Sequence, residues 1–495
     1  MRRRILLCLI LGLIVALNYF GEVISVKGEV IWDAVAYREI VVGGGQLWMD
    51  GGINQYYMHR ILPFILTHYL LRWLGLPMEN NYIFQLSGVV NVVILCIGVL
   101  YFFRISSLRR WKPATEIIAF GCLFLNFGVL KYCGYYPLLT DLTALTLSIM
   151  ATYYYIRACK WGLAVVCLLG MLSWPLLSLV VLLLLMLPKV RVQVEEGSGL
   201  NRTDRLVNLA LRCIMVGWLP IMFAAYAVYR FQFRGCSSFE DLFFARQPNS
   251  LLMACLSLAA WMFVVWRATR NLTIQWKPVL QALFLNKQNL IRWIVCCILF
   301  VLVYKVIDCK GSAASFSFFD ELIQMCQLPL TDILVFLETP FAYLGIFFVL
   351  VILCWSSLCS ELFKAYDLPL YAVVLLAIVF LADIETRKLI SFYPFVLLLL
   401  MGVINRQNLR RWVPVAFVFV QLLLSCFYVP IHVQGIEEAY SNFFLYEYPA
   451  QRLFAFIGPW QSHQVYWVAI LAEIVFMTAI YLLHKNHLLE KQSSV

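Results

Sequence analysis

Charge is what this chain has least of. Only 13% of its 495 residues are Asp, Glu, Lys or Arg, against 63% hydrophobic and 16% aromatic. With a mean hydropathy of +0.84, that excludes a water-soluble globule, whose apolar share is nearer half. Acid is scarcer than base, giving a net charge of +11. In a soluble protein this would point to nucleic acid, but here the bases stand beside apolar runs, as they do on the cytoplasmic side of membrane proteins. The sixteen cysteines contain no CxxC and no zinc-ligand spacing, so neither redox nor zinc chemistry is read from them. Nor is there an HExxH, a GxSxG, a Walker A or a GxGxxG between strand and helix, which removes the soluble hydrolase, zinc-protease and nucleotide-domain readings. Alternating strands of the outer-membrane type are missing. No internal repeat of the transporter kind is visible. The run Ile5–Phe20 after Arg2-Arg3-Arg4 lacks a small-residue cleavage site and reads as an uncleaved first span.

What is present is a series of apolar runs of the length that crosses about 30 Å of hydrocarbon. They predict an all-α, polytopic integral membrane protein, because only helices and closed barrels satisfy their backbones in lipid. The predicted spans are Ile5–Phe20, Tyr82–Phe103, Ala114–Leu130, Leu142–Ile156, Asn208–Tyr229, Ser250–Trp266, Trp293–Ile307, Pro340–Leu358, Leu368–Leu381, Leu389–Ile404, Trp412–Val429 and Val465–Leu483. Trp161–Leu187 is read differently, because Ser173-Trp174-Pro175 interrupts it and proline breaks a helix. It is predicted to be a re-entrant pair of short helices, making about twelve full spans plus that pair. With this parity the basic loops 104–112, 189–205 and 267–292, and both termini, are cytoplasmic. The acid-bearing loops lie on the outer face, and the sequons at Asn201 and Asn271 become chance matches. The chain divides into a transmembrane module over 1–404, with a first outer loop 22–81, and C-terminal helices over 405–495 with an outer loop 430–464.

Three polar clusters share the outer face. Asp33 and Tyr37 stand four residues apart, so one helical turn puts carboxylate and phenol on one side; Asp33 is either reactive or the cap of a surface helix. Thr140-Asp141 heads a span after Tyr135-Tyr136-Pro137, as helix cap or as costly, functional membrane carboxylate. Asp383-Ile384-Glu385-Thr386-Arg387-Lys388 puts two bases at the outer mouth of a helix pair. There they either snorkel or grip a lipid-borne phosphate, Arg387 bidentately and Lys388 as a compact charge. His59 and Arg60 precede a run from Ile61 to Leu74 that reads as an interfacial helix. They either anchor the loop or border the phosphate site.

In their order and common sidedness, these motifs resemble the GT-C class of integral-membrane glycosyltransferases, which draw sugars from polyprenyl-phosphate carriers. The likeness rests on Trp32-Asp33-x-x-x-Tyr37, Tyr57-Met58-His59-Arg60-Ile61-Leu62-Pro63, Tyr136-Pro137-Leu138-Leu139-Thr140-Asp141 and Glu385-Thr386-Arg387-Lys388 before Tyr393-Pro394. It implies an inverting sugar transfer to a glycan or lipid-linked acceptor at the outer face of a membrane such as the bacterial inner membrane. Asp33 would be the general base and Asp141 its supporting carboxylate. Tyr37, His59, Arg60, Tyr136, Thr140, Glu385, Arg387 and Lys388 would bind substrate. The resemblance leaves a divalent cation open, since Asp33 is followed by Ala34 where many such enzymes carry a second acid. Expected partners are the lipid-linked donor, the acceptor and membrane lipids, with no nucleic acid. Rival readings are a lipid-linked oligosaccharide flippase, a polysaccharide polymerase or ligase, and a non-catalytic scaffold of the same fold.

Overall fold

The computed structural model describes residues 2–21, 23, 33–191, 201–233, 250–308, 311, 334–383, 385–429 and 463–485. It is 82% helical and, among the described residues, has no strand, apart from an isolated antiparallel bridge between Arg191 and Asp367. Trp32, Ile384, Asp320, Glu321, Asp332 and nearly all of the predicted loop 430–464, with His432, Glu437, Glu438 and Glu447, lie outside the described residues.

The N-terminal half runs through α1 (Arg2–Tyr19), α2 (Asp33–Met49), α3 (Gln55–Met58), α4 (Leu62–Leu74), α5 (Asn80–Leu108), α6 (Pro113–Phe124), α7 (Phe127–Leu130), α8 (Tyr132–Tyr135) and α9 (Asp141–Ile156). Next come α10 (Lys160–Met171), α11 (Pro175–Met186), α12 (Arg202–Phe233), α13 (Ser250–Arg270), α14 (Trp276–Leu280) and α15 (Lys287–Asp308). The C-terminal part holds α16 (Val335–Leu344), α17 (Ile346–Leu353), α18 (Trp355–Ala365), α19 (Leu368–Phe380), a 3-10 segment Thr386–Ser391, α20 (Tyr393–Asn405), α21 (Val413–Leu424) and α22 (His463–Lys485).

The expected count of about twelve spans is corrected. Among the described residues three helices are long and apolar enough to cross a membrane, or up to five if each bent pair, α6 with α7–α8 and α17 with α18, is one span. The reason is where helices begin and break. Proline sits in the first turn of α6, α11, α19, α20 and α21, where its missing N–H costs nothing but fixes the start. The apolar run at 340–358 is cut at Gly345, whose φ of +69° only glycine adopts freely. Buried Gln421 fills that cut, accepting from the Ile346 amide at 3.0 Å and donating to the Leu344 carbonyl at 3.0 Å. What remains are apolar helices such as α19 with 13 residues, about 20 Å long at 1.5 Å per residue and short of the hydrocarbon thickness.

Where helices are long, their outward faces suit lipid. On α15 the large side chains Ile291, Ile294, Ile298, Leu302 and Val306 are all exposed, an apolar face on a helix long enough to cross a membrane. The core instead gathers on α5, α6, α9, α11 and α20, joined by buried Phe102, Phe120, Phe124, Val180 and Phe395.

The interruption at Trp174-Pro175 does produce a hairpin. α10 and α11 fold back on each other, with Cys167 Sγ 3.4 Å from the Ser178 carbonyl and the Trp174 amide turned onto the Gly170 carbonyl at 2.7 Å. Each arm has 12 residues, about 18 Å. The run predicted as an interfacial helix is helical, as α4. Phe64, Thr67, His68 and Leu71 of α4 point inward, while Leu66, Tyr69 and Trp73 lie exposed. α2 bends to receive it at Gly44, where φ is +54° and a Cβ would strike the His68 ring at 2.3 Å. The His68 Nδ1–H donates to the Val41 carbonyl at 2.6 Å within that bend.

Candidate functional site

Four separate stretches meet at one end of the helix set. Asp33 opens α2, Asp141 opens α9, residues 385–388 follow α19, and the tip of the α10–α11 hairpin brings in Trp174. Residues 57–62 are stitched to that tip. His59 Nδ1 lies 3.0 Å from the Met171 carbonyl, and the Leu62 amide donates to the Leu172 carbonyl at 2.9 Å.

Arg387 is the centre of the cluster. Its Nη2 lies 3.6 Å from Asp33 Oδ2, its Nη1 3.6 Å from Asp141 Oδ2, and its Nε 3.3 Å from Glu385 Oε2. Asp141 is 1% exposed at its side chain whereas Asp33 is 28% exposed. The two carboxylates thus differ in access: Asp33 can meet a substrate, and Asp141 holds the guanidinium from beneath. Tyr57, not Tyr37, supplies the phenol, donating to Asp33 Oδ1 at 3.1 Å. Burial, then the charge and hydrogen bond of Asp33, push the Tyr57 phenol up, so it remains a donor at neutral pH. Burial would raise the Glu385 carboxyl, but Arg387, Lys388 and Arg60 outweigh it and pull it down to about 2.

The other predicted residues divide. Tyr37 is fully buried behind Asp33, its ring stacked on Phe64 at 4.1 Å. Tyr136 accepts the Ala34 amide at 3.2 Å, which pins the first turn of α2 and with it Asp33. Thr140 makes no side-chain cap to α9, so the capping alternative does not hold for it. His59 turns away from the cluster, its Nε2 3.0 Å from Asp308 Oδ1 and its ring stacked on Tyr304. Lys388 is held back by Asp383 at 3.2 Å and lies 3.8 Å from Glu385. Arg60 faces inward. It is 7% exposed, its guanidinium lies 4.3 Å above the Tyr56 ring and 5.1 Å from Trp174, and its Nε and Nη1 have no hydrogen-bond partner among the described residues. Trp174 thereby lies near two guanidiniums, with Arg387 5.9 Å from its ring, and is fixed by donating Nε1–H to Ser391 Oγ at 2.9 Å.

Sequence reading missed Tyr56, Tyr57 and Trp174 as members. Tyr56 and Tyr57 sit directly before His59-Arg60, and the proline after Trp174 marks a turn; both signals were legible, their destination was not.

Compared with protein-family models, curated proteins and solved structures, the chain matches none.

A divalent cation does not fit this cluster. Such an ion needs several oxygens converging on one point, and that point among Asp33, Asp141 and Glu385 is held by the Arg387 guanidinium at 3.3 to 3.6 Å. Among the described residues no group of three His, Cys, Asp or Glu is arranged for a metal.

Proposed function

We propose that this chain is a membrane glycosyltransferase that moves a sugar from a polyprenyl-phosphate carrier to a hydroxyl acceptor. The observation that carries the reading is the pairing of an accessible, cation-supported carboxylate, Asp33, with a buried guanidinium, Arg60, that keeps N–H groups without hydrogen-bond partners. Buried polar groups are ordinarily satisfied, so Arg60 is poised for an anion delivered by substrate.

In this mechanism Asp33 accepts the proton of the acceptor hydroxyl while that oxygen bonds to the anomeric carbon. The bond from the anomeric carbon to the phosphate oxygen breaks, and its electron pair leaves with the lipid phosphate, which Arg60 and Arg387 hold. A single displacement inverts the anomeric centre. Asp141 and Glu385 keep Arg387 in place, and Tyr57 keeps Asp33 turned towards the substrate. The rings of Tyr56 and Trp174 lie against the guanidiniums and brace them in place.

A small apolar cavity lies near the cluster. It measures about 70 Å³ and is lined by Phe347, Val351, Trp355, Val374, Ile378 and Phe392 among others, with Leu389 also in its wall, two residues from Arg387.

The test is transfer of radiolabelled sugar from synthetic polyprenyl phosphates by the purified full chain. Asp33→Asn should lower the rate by at least about 100-fold, the scale of a lost general base. An unchanged rate would overturn the mechanism.

A further inference from the structure

The four helices that bear the site, or precede it in sequence, carry a second polar pocket at their opposite ends. It is lined by Arg109 at the end of α5, Tyr155 and Ile156 at the end of α9, Lys189 and Arg191 after α11, and Ala365, Tyr366 and Asp367 before α19, and it measures about 240 Å³. Since α9 spans 16 residues from Asp141 to Ile156, the two sites are separated by about 24 Å.

Its side chains converge where snorkelling bases would splay. Arg109 donates to Tyr366 Oη at 2.7 Å and lies 5.2 Å from that ring. Lys189 donates to the Tyr155 carbonyl at 3.2 Å, with its ammonium 4.8 Å from the Tyr155 ring. The Arg191–Asp367 bridge, with the Leu368 amide donating to the Val190 carbonyl at 2.9 Å, ties the strap 189–191 across the mouth. Tyr155 donates its phenol to Asp367, which occupies the pocket's carboxylate. Three bases against that one acid leave an excess of two positive charges.

We infer that this pocket binds a phosphate monoester, presented either as a lipid headgroup at the membrane surface or as a free phosphate. A monoester carries about −1.5 to −2 at pH 7, which matches the excess, and guanidinium and ammonium groups are suited to its oxygens. The inference stands apart from the glycosyltransferase reading and shares no residue with it.

Native mass spectrometry of the full chain, released from vesicles of phosphatidylcholine containing phosphatidic acid, tests it. The parent protein should retain phosphatidic acid over phosphatidylcholine. The double variant Arg109→Gln, Lys189→Gln, which removes two charge-assisted contacts, should lose at least about 10-fold of that retention. Arg109 also braces Tyr366, so Arg191→Gln, at an exposed side chain, provides a variant that spares the packing and should lose about 3-fold. Lys364→Gln, near the pocket but outside its lining, should keep the parent value. Displacement of the lipid by millimolar inorganic phosphate would assign the site to the phosphate group alone, and retention against it to a headgroup; both uphold the pocket. Equal retention in the parent, the double variant and Arg191→Gln, or an equal loss in Lys364→Gln, would overturn it.

Discussion

The two ends of one helix set are built on opposite electrostatic plans. At the α9 N-terminus four acids, Asp33, Asp141, Asp383 and Glu385, interlock with Arg387 and Lys388, with Arg60 close by. At the α9 C-terminus three bases face a single acid already engaged by Tyr155. The first arrangement is buried and mutually compensated, so its groups are held in fixed positions, which chemistry needs. The second is open and unbalanced, which suits reversible capture of an anion. The helix dipole works with this plan, because cations are favoured where helices end.

The contrast can be broken experimentally. Its largest expected effect is on chemistry: Asp33→Asn should lower sugar transfer by about 10²- to 10⁴-fold and leave phosphatidic acid retention at the far pocket unchanged. A parallel loss of lipid retention would mean that the two ends are not independent. Next comes stability. Arg387→Gln strands the carboxylates of Asp33, Asp141 and Glu385 and should cost about 3 to 5 kcal/mol, read as a drop in the thermal unfolding midpoint in detergent. Lys189→Gln, exposed at the open end, should cost under about 1 kcal/mol by the same measurement. Between these two is Trp174→Phe, which keeps a ring beside the guanidiniums but loses the bond to Ser391 and part of a fully buried side chain. It should cost about 1 to 3 kcal/mol, and a midpoint equal to the parent's would show that neither the bond nor the indole's packing holds the hairpin tip.

The smallest effect is a difference in acid response. Glu385 is held down to about 2 from 4.5. A carboxyl depressed on folding adds stability that is complete above the unfolded value and is lost as pH falls from about 4.5 to about 2. Asp367 is shifted the other way, raised by burial although Tyr155 and Lys189 pull against it, so acid favours the folded state there. Unfolding midpoints measured between pH 3 and 6, a range set by ordinary carboxyl values of about 4, should therefore fall less steeply in Glu385→Gln and more steeply in Asp367→Asn. Equal slopes in both variants and the parent would remove the electrostatic distinction between the ends.

Much of the site was readable in advance because it follows from charge sorting. Sorting acids and bases by predicted side groups Asp33, Asp141 and Arg387, and the structure does bring the three together although 354 positions separate the first from the last. Partner choice was not readable. The i, i+4 relation pointed to Tyr37 as the companion of Asp33, yet a helix N-terminus is free to take its donor from another loop, and Tyr57 arrives from there. The span count failed for a related reason: hydropathy reports how apolar a run is, while helix length is set by Pro starts and by breaks such as Gly345, which an inserted Gln421 makes tolerable.

The sequence by itself determined an all-helical chain with apolar helices compatible with a membrane, because both depend on composition and local order. Tertiary structure decided that Trp174 of a hairpin tip would lie near both Arg60 and Arg387, that Arg387 would fill the place a cation could have taken, and that Arg109, Lys189 and Arg191 would close into a pocket. Those outcomes turn on distances of 3 to 6 Å between groups far apart in the chain, and only packing fixes such distances.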